Sequence, residues 1–80
     1  MTKKHNVKEK LDLRGILCPI NFVKTKLKLE QMAKDEILEV IIDNGEPMKH
    51  VPKSVKHDGH MILEVIPMEG DSFRLIIRKS

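Results

Sequence analysis

The chain predicts an α/β two-layer sandwich of order βαβαββ, a four-stranded mixed sheet with two helices on one face. Three observations lead there. Four short runs are rich in Leu, Ile and Val, and two stretches of helix formers separate the first three of them. In addition, Leu11, Leu13, Leu38, Val40, Ile42, Met61, Leu63, Val65, Phe73, Leu75 and Ile77 fall on one alternation phase and are all apolar, as a helix-covered sheet face requires.

The first strand is read from Leu11 and Leu13 alternating with Asp12 and Arg14. Pro19 to Ala33 has no internal glycine or proline and is rich in Lys, Leu and Glu, so it predicts a helix. Ile20, Val23 and Leu27 share one side of that helix, and Phe22, Leu29 and Ala33 gather on another; spacing alone leaves open which group lies deeper. Ile37 to Ile42 is a β-branched run closed by Asp43-Asn44-Gly45, a second strand and its turn.

Met48, Val51 and Val55 carry helical spacing through Pro47 to Asp58, and Gly59 is placed to end that helix. Pro52 lies within it, which predicts a loose first turn and a regular helix from about Pro52 onward. Met61 to Ile66 and Phe73 to Arg78 then form a hairpin around Gly70. The opposite sheet phase mixes Asp12, Arg14, Glu39, Glu64, Arg74 and Arg78 with Ile37, Ile41, Ile62, Ile66 and Ile76. That face is expected to be partly wet, with cross-strand charge pairs and an isoleucine contact patch.

Eighty residues fit one small domain, with 40% hydrophobic and 34% charged residues and no repeat or low-complexity tract. Residues 1–9 are polar and lysine-rich, which reads as a flexible N-terminal segment before a single domain over 10–80 and does not resemble a secretory signal. No apolar run approaches the roughly 18 residues that cross a bilayer, so no membrane association is expected. A single cysteine makes no internal disulfide, which points to the cytoplasm. The net charge of +3 suits acidic proteins or nucleic acid and does not choose between them.

That cysteine, Cys18, stands between the first strand and the first helix. A thiol at a helix N-terminus feels unpaired backbone N–H groups and the positive end of the helix dipole, which favour the thiolate. A free cysteine also packs as a small apolar side chain. The flanks favour the reactive reading: Gly15 permits a tight turn, Pro19 suits the first helical position, and Arg14 brings positive charge near the sulfur.

Leu11-Asp12-Leu13-Arg14-Gly15, then Cys18-Pro19, a helix, and a late Gly59-His60 pair resemble the TusA/SirA-like sulfur-carrier family over about Lys10 to Lys79. The resemblance implies the same βαβαββ sandwich and a persulfide on Cys18, and makes Gly59-His60 the turn from second helix to third strand. It also implies a donor protein, a cysteine desulfurase or rhodanese-like enzyme, and an acceptor protein. The acceptor's pathway, whether tRNA thiolation, cofactor synthesis or sulfur metabolism, stays open. The family signature is Cys-Pro-x-Pro, whereas this chain reads Cys18-Pro19-Ile20-Asn21. Asn21 restores a backbone donor and adds an amide near the sulfur, or is simply a polar residue of the first turn.

Arg14 is either an electrostatic aid to the thiolate or a solvated strand residue pairing with a glutamate. Lys24, Lys26 and Lys28 with Lys49, Lys53 and Lys56 form either a solvated face or a basic docking surface, with Lys24, Lys53 and Lys56 as the docking candidates. His50, His57 and His60 come without a Cys-x-x-Cys pair or acidic cluster, so no metal is expected, nor any cofactor. A small basic RNA-binding module is the alternative from another class. The chain has no Trp or Tyr to stack bases and no glycine-rich phosphate loop, so direct nucleic-acid binding is not expected. A protein-interaction or regulatory module without sulfur chemistry is a third reading.

Overall fold

A computed structural model describes residues 7–17 and 20–80. The elements run β1 (Val7–Asp12), α1 (Ile20–Glu30), β2 (Ile37–Asp43), α2 (Glu46–His57), β3 (Met61–Met68) and β4 (Ser72–Arg78). The sheet order is β1-β2-β4-β3, with β1 parallel to β2 and the other pairings antiparallel. The predicted sandwich and its element order are therefore observed. The parallel pair requires a crossover, which α1 supplies.

The core lies where the central strands meet the helices. Leu38, Val40 and Ile42 of β2 and Leu75 and Ile77 of β4 are fully buried, packed with Leu29 of α1 and Val51 and Val55 of α2. Each such side chain withdrawn from water contributes about 1.5–3 kcal/mol before the entropy of ordering is counted.

Three boundaries differ from the sequence expectation. β1 begins at Val7, inside the stretch read as a flexible segment to residue 9, and Val7 and Glu9 pair with Ile37 and Leu38. The lysines that make this stretch look like a tail are the outward half of a strand: half-buried Val7, Glu9 and Leu11 alternate with exposed Lys8, Lys10 and Asp12. Outward lysines on an edge strand also discourage pairing with another chain. α2 is helical from Glu46 rather than from Pro52. Pro47 occupies the first turn, where its missing N–H is harmless, and buried Val51 and Val55 anchor the chain on both sides of Pro52.

The third difference is in β3. Ile62 pairs with Ile77 but Glu64 pairs with Ile76, so Leu63 is an inserted residue that flips the alternation. Ile62, expected on the open face, packs on the core, while Met61, expected in the core, is half-exposed opposite Arg78. Val65 returns to the phase of Leu75 but remains half-exposed because β3 is an edge. Pro67 is accommodated in the same edge strand.

On the open face Arg74 approaches Glu39 at 3.6 Å and Arg78 approaches Asp35 at 3.8 Å. Between the two arginines along β4, Ile76 is buried, as is Ile37 on β2. Two members of the expected contact patch are therefore not presented to solvent.

Candidate functional site

The site is built at the C-terminal ends of the two parallel strands. Past the end of β1, the Leu13 N–H still donates to the Ile41 carbonyl at 2.8 Å, and Leu13 is buried. The chain then turns sharply, with Ile16 N–H on the Leu13 carbonyl and Gly15 at φ +79°, a conformation that strains any side-chain-bearing residue. The Gly15 N–H donates to Asp43 Oδ2 at 2.7 Å, tying the turn to the end of β2.

Arg14 lies on this turn with its guanidinium committed to a carboxylate. Its Nε donates to Asp12 Oδ1 at 2.9 Å and its Nη2 to Asp12 Oδ2 at 2.6 Å. The Arg14 side chain and backbone N–H hold the exposed Asp12 carboxyl down to about 2. The partner of Arg14 is thus an aspartate two residues away rather than a glutamate across the sheet.

From here the chain enters α1. The Leu17 carbonyl accepts the Asn21 N–H at 3.2 Å, and the helix runs from Ile20. Cys18 and Pro19, the predicted nucleophile and its neighbour, lie outside the described residues. The helix-start amides expected to be unpaired are partly engaged: besides the Asn21 N–H, the Phe22 N–H donates to Asn21 Oδ1 at 2.7 Å.

Asn21 is fully buried, and its Nδ2 reaches toward the Ile16 carbonyl at 3.5 Å. One side chain therefore caps the helix and faces the loop that precedes Cys18. One turn on, fully buried Thr25 returns its hydroxyl to the Asn21 carbonyl at 2.9 Å. At the far end Lys79 Nζ donates to the Leu29 carbonyl at 2.7 Å, a cation at the negative end of the dipole. The buried stripe of α1 is accordingly Asn21, Thr25 and Leu29. Ile20, Val23 and Leu27 turn outward.

Two shallow cavities of about 370 Å³ each flank this region. One is lined by Gly15, Ile16, Leu17, Asp43, Glu46 and Pro47. The other is a groove between β1 and α1 whose walls include Leu11, Ile16, Lys24 and Leu27. Lys24 thus belongs to the neighbourhood of the site, whereas Lys53 and Lys56 are exposed on α2 and line neither cavity.

His50 and His60 have local partners. His50 faces Glu46 at 2.9 Å, and His60 Nδ1 accepts the Ser80 N–H at 3.1 Å. Burial, then the Lys79 charge, push His60 below the ordinary histidine range. Among the described residues no three His, Cys, Asp or Glu side chains gather as a metal site needs, and no helix is long and apolar enough to cross a membrane.

Sequence reasoning missed Asp43 as the anchor of the turn and Asn21 as an interior residue. The available signal was the spacing Asn21, Thr25, Leu29, which marks one helical face once small polar residues are allowed to bond the backbone.

This architecture defines a small α/β protein whose distinctive local chemistry is gathered where its first helix begins. Residues 9–79 match the family described as Sulfurtransferase TusA. A protein of Archaeoglobus fulgidus that bears the name of a sulfur carrier is 45% identical over 71 residues, spanning 89% of this chain and 81% of that protein. One from Thermotoga maritima with the same name is 37% identical over 75 residues, spanning 94% and 95%. The crystal structure of the SirA-like protein from Desulfitobacterium hafniense superposes with a TM-score of 0.79 over 89% of this chain and 96% of that one, at 19% identity, and so shares its fold. The chain belongs to the TusA family, and a sulfur-carrier role is what that family and these named relatives support.

Proposed function

We propose that this protein carries sulfane sulfur as a persulfide on Cys18 and hands it from a donor protein to an acceptor. The observation that carries the reading is positional: in a chain of the TusA family, the single thiol stands two residues before α1 begins, next to a turn tied to both parallel strands. The positive end of the α1 dipole favours a thiolate there.

In the transfer, the Cys18 thiolate attacks the outer sulfur of a persulfide on the donor, a cysteine desulfurase or rhodanese-like enzyme. The Cys18–sulfur bond forms, the donor's S–S bond breaks, and the electron pair leaves with the donor's inner sulfur as a thiolate. No net oxidation occurs. The acceptor repeats the step on the Cys18 persulfide, restoring the thiolate.

Pro19 directly precedes α1 in the chain, and Asn21, where the family signature has a second proline, holds the start of the helix from inside. Arg14, already bound to Asp12, acts on the turn's shape more than on the sulfur's charge. Lys24 serves docking near the site; Lys53 and Lys56 lie on α2 and contribute to the overall positive field. The carrier domain takes in β1 from Val7 and works in the cytoplasm, where a lone thiol stays reduced.

The test is direct. The protein is incubated with a cysteine desulfurase and cysteine without reductant, and its intact mass is measured. Wild type gains one sulfur that reductant removes, and Cys18→Ala gains none. Wild type that gains no sulfur from the desulfurase, nor from inorganic polysulfide offered in its place, overturns the reading.

A further inference from the structure

We infer that the outward face of α1 is the docking surface for the sulfur donor, and that the donor meets it with an apolar ridge edged by carboxylates. The inference rests on the carrier reading above and names what covers a surface that reading leaves bare.

The face is apolar where a helix packed on a sheet is ordinarily polar. Leu17 is 77% exposed, Ile20 52%, Val23 44% and Leu27 52%. At 100° per residue Ile20, Val23 and Leu27 form one stripe, and Leu17 leads into it one turn earlier through the carbonyl that accepts the Asn21 N–H. The stripe adjoins the groove walled by Leu11, Ile16 and Leu27, so apolar surface runs from the helix onto the edge of the sheet. Exposed apolar residues scattered singly need no explanation, but a contiguous stripe marks an interaction site. Leu17 and Ile20 bracket Cys18 and Pro19 in the chain, so the stripe starts at the stretch of sequence that holds the thiol.

Charge identifies the occupant. Exposed Lys24 borders the stripe on one side with half-buried Lys28, and exposed Lys26 borders it on the other, while the first turn of α1 carries no acidic residue. Lys28 has an acidic neighbour, Glu9, at 3.9 Å; Lys24 and Lys26 border the stripe from opposite sides. A second copy of this chain fits poorly, because lysines flank the stripe on both sides and a two-fold contact through it sets lysines of one copy against lysines of the other. A partner with carboxylates around an apolar ridge satisfies both parts of the surface, its charges speeding encounter and its apolar residues holding the complex.

The experiment compares two sulfur sources. The double variant Val23→Ser/Leu27→Ser is loaded by a cysteine desulfurase with cysteine, and separately by inorganic polysulfide, with intact mass as the readout. A Lys24→Glu/Lys26→Glu variant is treated likewise at low and high salt. The expected result is a KM for the desulfurase raised at least about tenfold in both variants, with polysulfide loading and circular dichroism unchanged. The lysine variant also loses the salt dependence of the wild-type rate.

Equal KM values for wild type and both variants overturn the docking surface and leave the carrier reading standing. Wild type loaded by polysulfide but not by the desulfurase also overturns it. Concentration-dependent dimerisation of wild type that Leu27→Ser abolishes assigns the stripe to a second copy and overturns the inference as well. Wild type that takes sulfur from neither source removes the carrier reading itself.

Discussion

Replacing Asn21 tests whether a polar residue inside α1 holds the site together. Its side chain is fully buried, its Oδ1 accepts the Phe22 N–H at 2.7 Å, and its Nδ2 contact to the Ile16 carbonyl, at 3.5 Å, is at the limit of a hydrogen bond and adds little. Asn21→Leu keeps the branched outline of the side chain and removes the acceptor, so it strands a partly buried N–H and should cost at least about 1 kcal/mol. Asn21→Ala removes the same bond and leaves a hole, for a total of about 2 kcal/mol. Against the roughly 4–12 kcal/mol that holds a chain of this length, that is a large fraction. It corresponds to a fall in Tm of about 8–16 °C. Urea denaturation of the three proteins measures both effects. An Asn21→Leu variant as stable as wild type refutes the bond's contribution, and an Asn21→Ala variant no worse than Asn21→Leu refutes the packing part.

Three further outcomes follow from the geometry. Leu38→Ala, at a fully buried position on central β2, should cost about 2–5 kcal/mol in the same denaturation assay, since neighbouring strands cannot collapse into the space. The Asp12 carboxyl should titrate by NMR at about 2 and rise toward the ordinary carboxylate range in Arg14→Gln; because its folded value is depressed, its contribution to stability is present above the ordinary carboxylate range and is lost as pH falls toward 2. His60 should titrate below the ordinary histidine range, and the Ser80 amide resonance should move with it, because protonation removes the acceptor at Nδ1. Its contribution to stability is therefore full while the unfolded histidine is neutral and declines as pH falls through and below that range. A Ser80 amide that ignores the His60 titration contradicts the bond.

The central strands were legible in the sequence because both are covered on one face by helices, and that face needs an unbroken apolar phase: Leu38, Val40 and Ile42 on β2, Leu75 and Ile77 on β4. The edges were not. Lys8 and Lys10 disguised the start of β1, since an edge strand with one wet face looks polar. The insertion at Leu63 was invisible because Met61, Ile62, Leu63, Val65 and Ile66 are apolar on both phases, and alternation carries no register when both phases look alike. At the site, the turn at Gly15 could be read from residue types, but Arg14, read as a strand residue, lies on that turn bound to Asp12, and the link to Asp43 spans 28 positions and has no local signature.

The faces of α1 hold the most instructive failure. Apolar content offered Ile20, Val23 and Leu27 or Phe22, Leu29 and Ala33 as the inner group; Leu29 is buried and Phe22 packs on the core, but in a stripe headed by Asn21 and Thr25, while Ala33 lies exposed beyond the helix. Small polar residues can lie against a sheet at no net loss when their oxygens bond the helix's own backbone, as Asn21 does to the Phe22 N–H and Thr25 to the Asn21 carbonyl. Burying them leaves Ile20, Val23 and Leu27 half-exposed, which folding alone does not favour, because apolar surface left in water gains nothing from the core. Folding draws only a partial gain from these three positions, and the exposed half of each side chain is what a partner would cover. Val23→Ser and Leu27→Ser should accordingly each cost no more than about 1 kcal/mol in urea denaturation, well short of a core truncation. A large loss of stability would place these residues in the fold's own core, and the reasoning that sends them to a partner would fail.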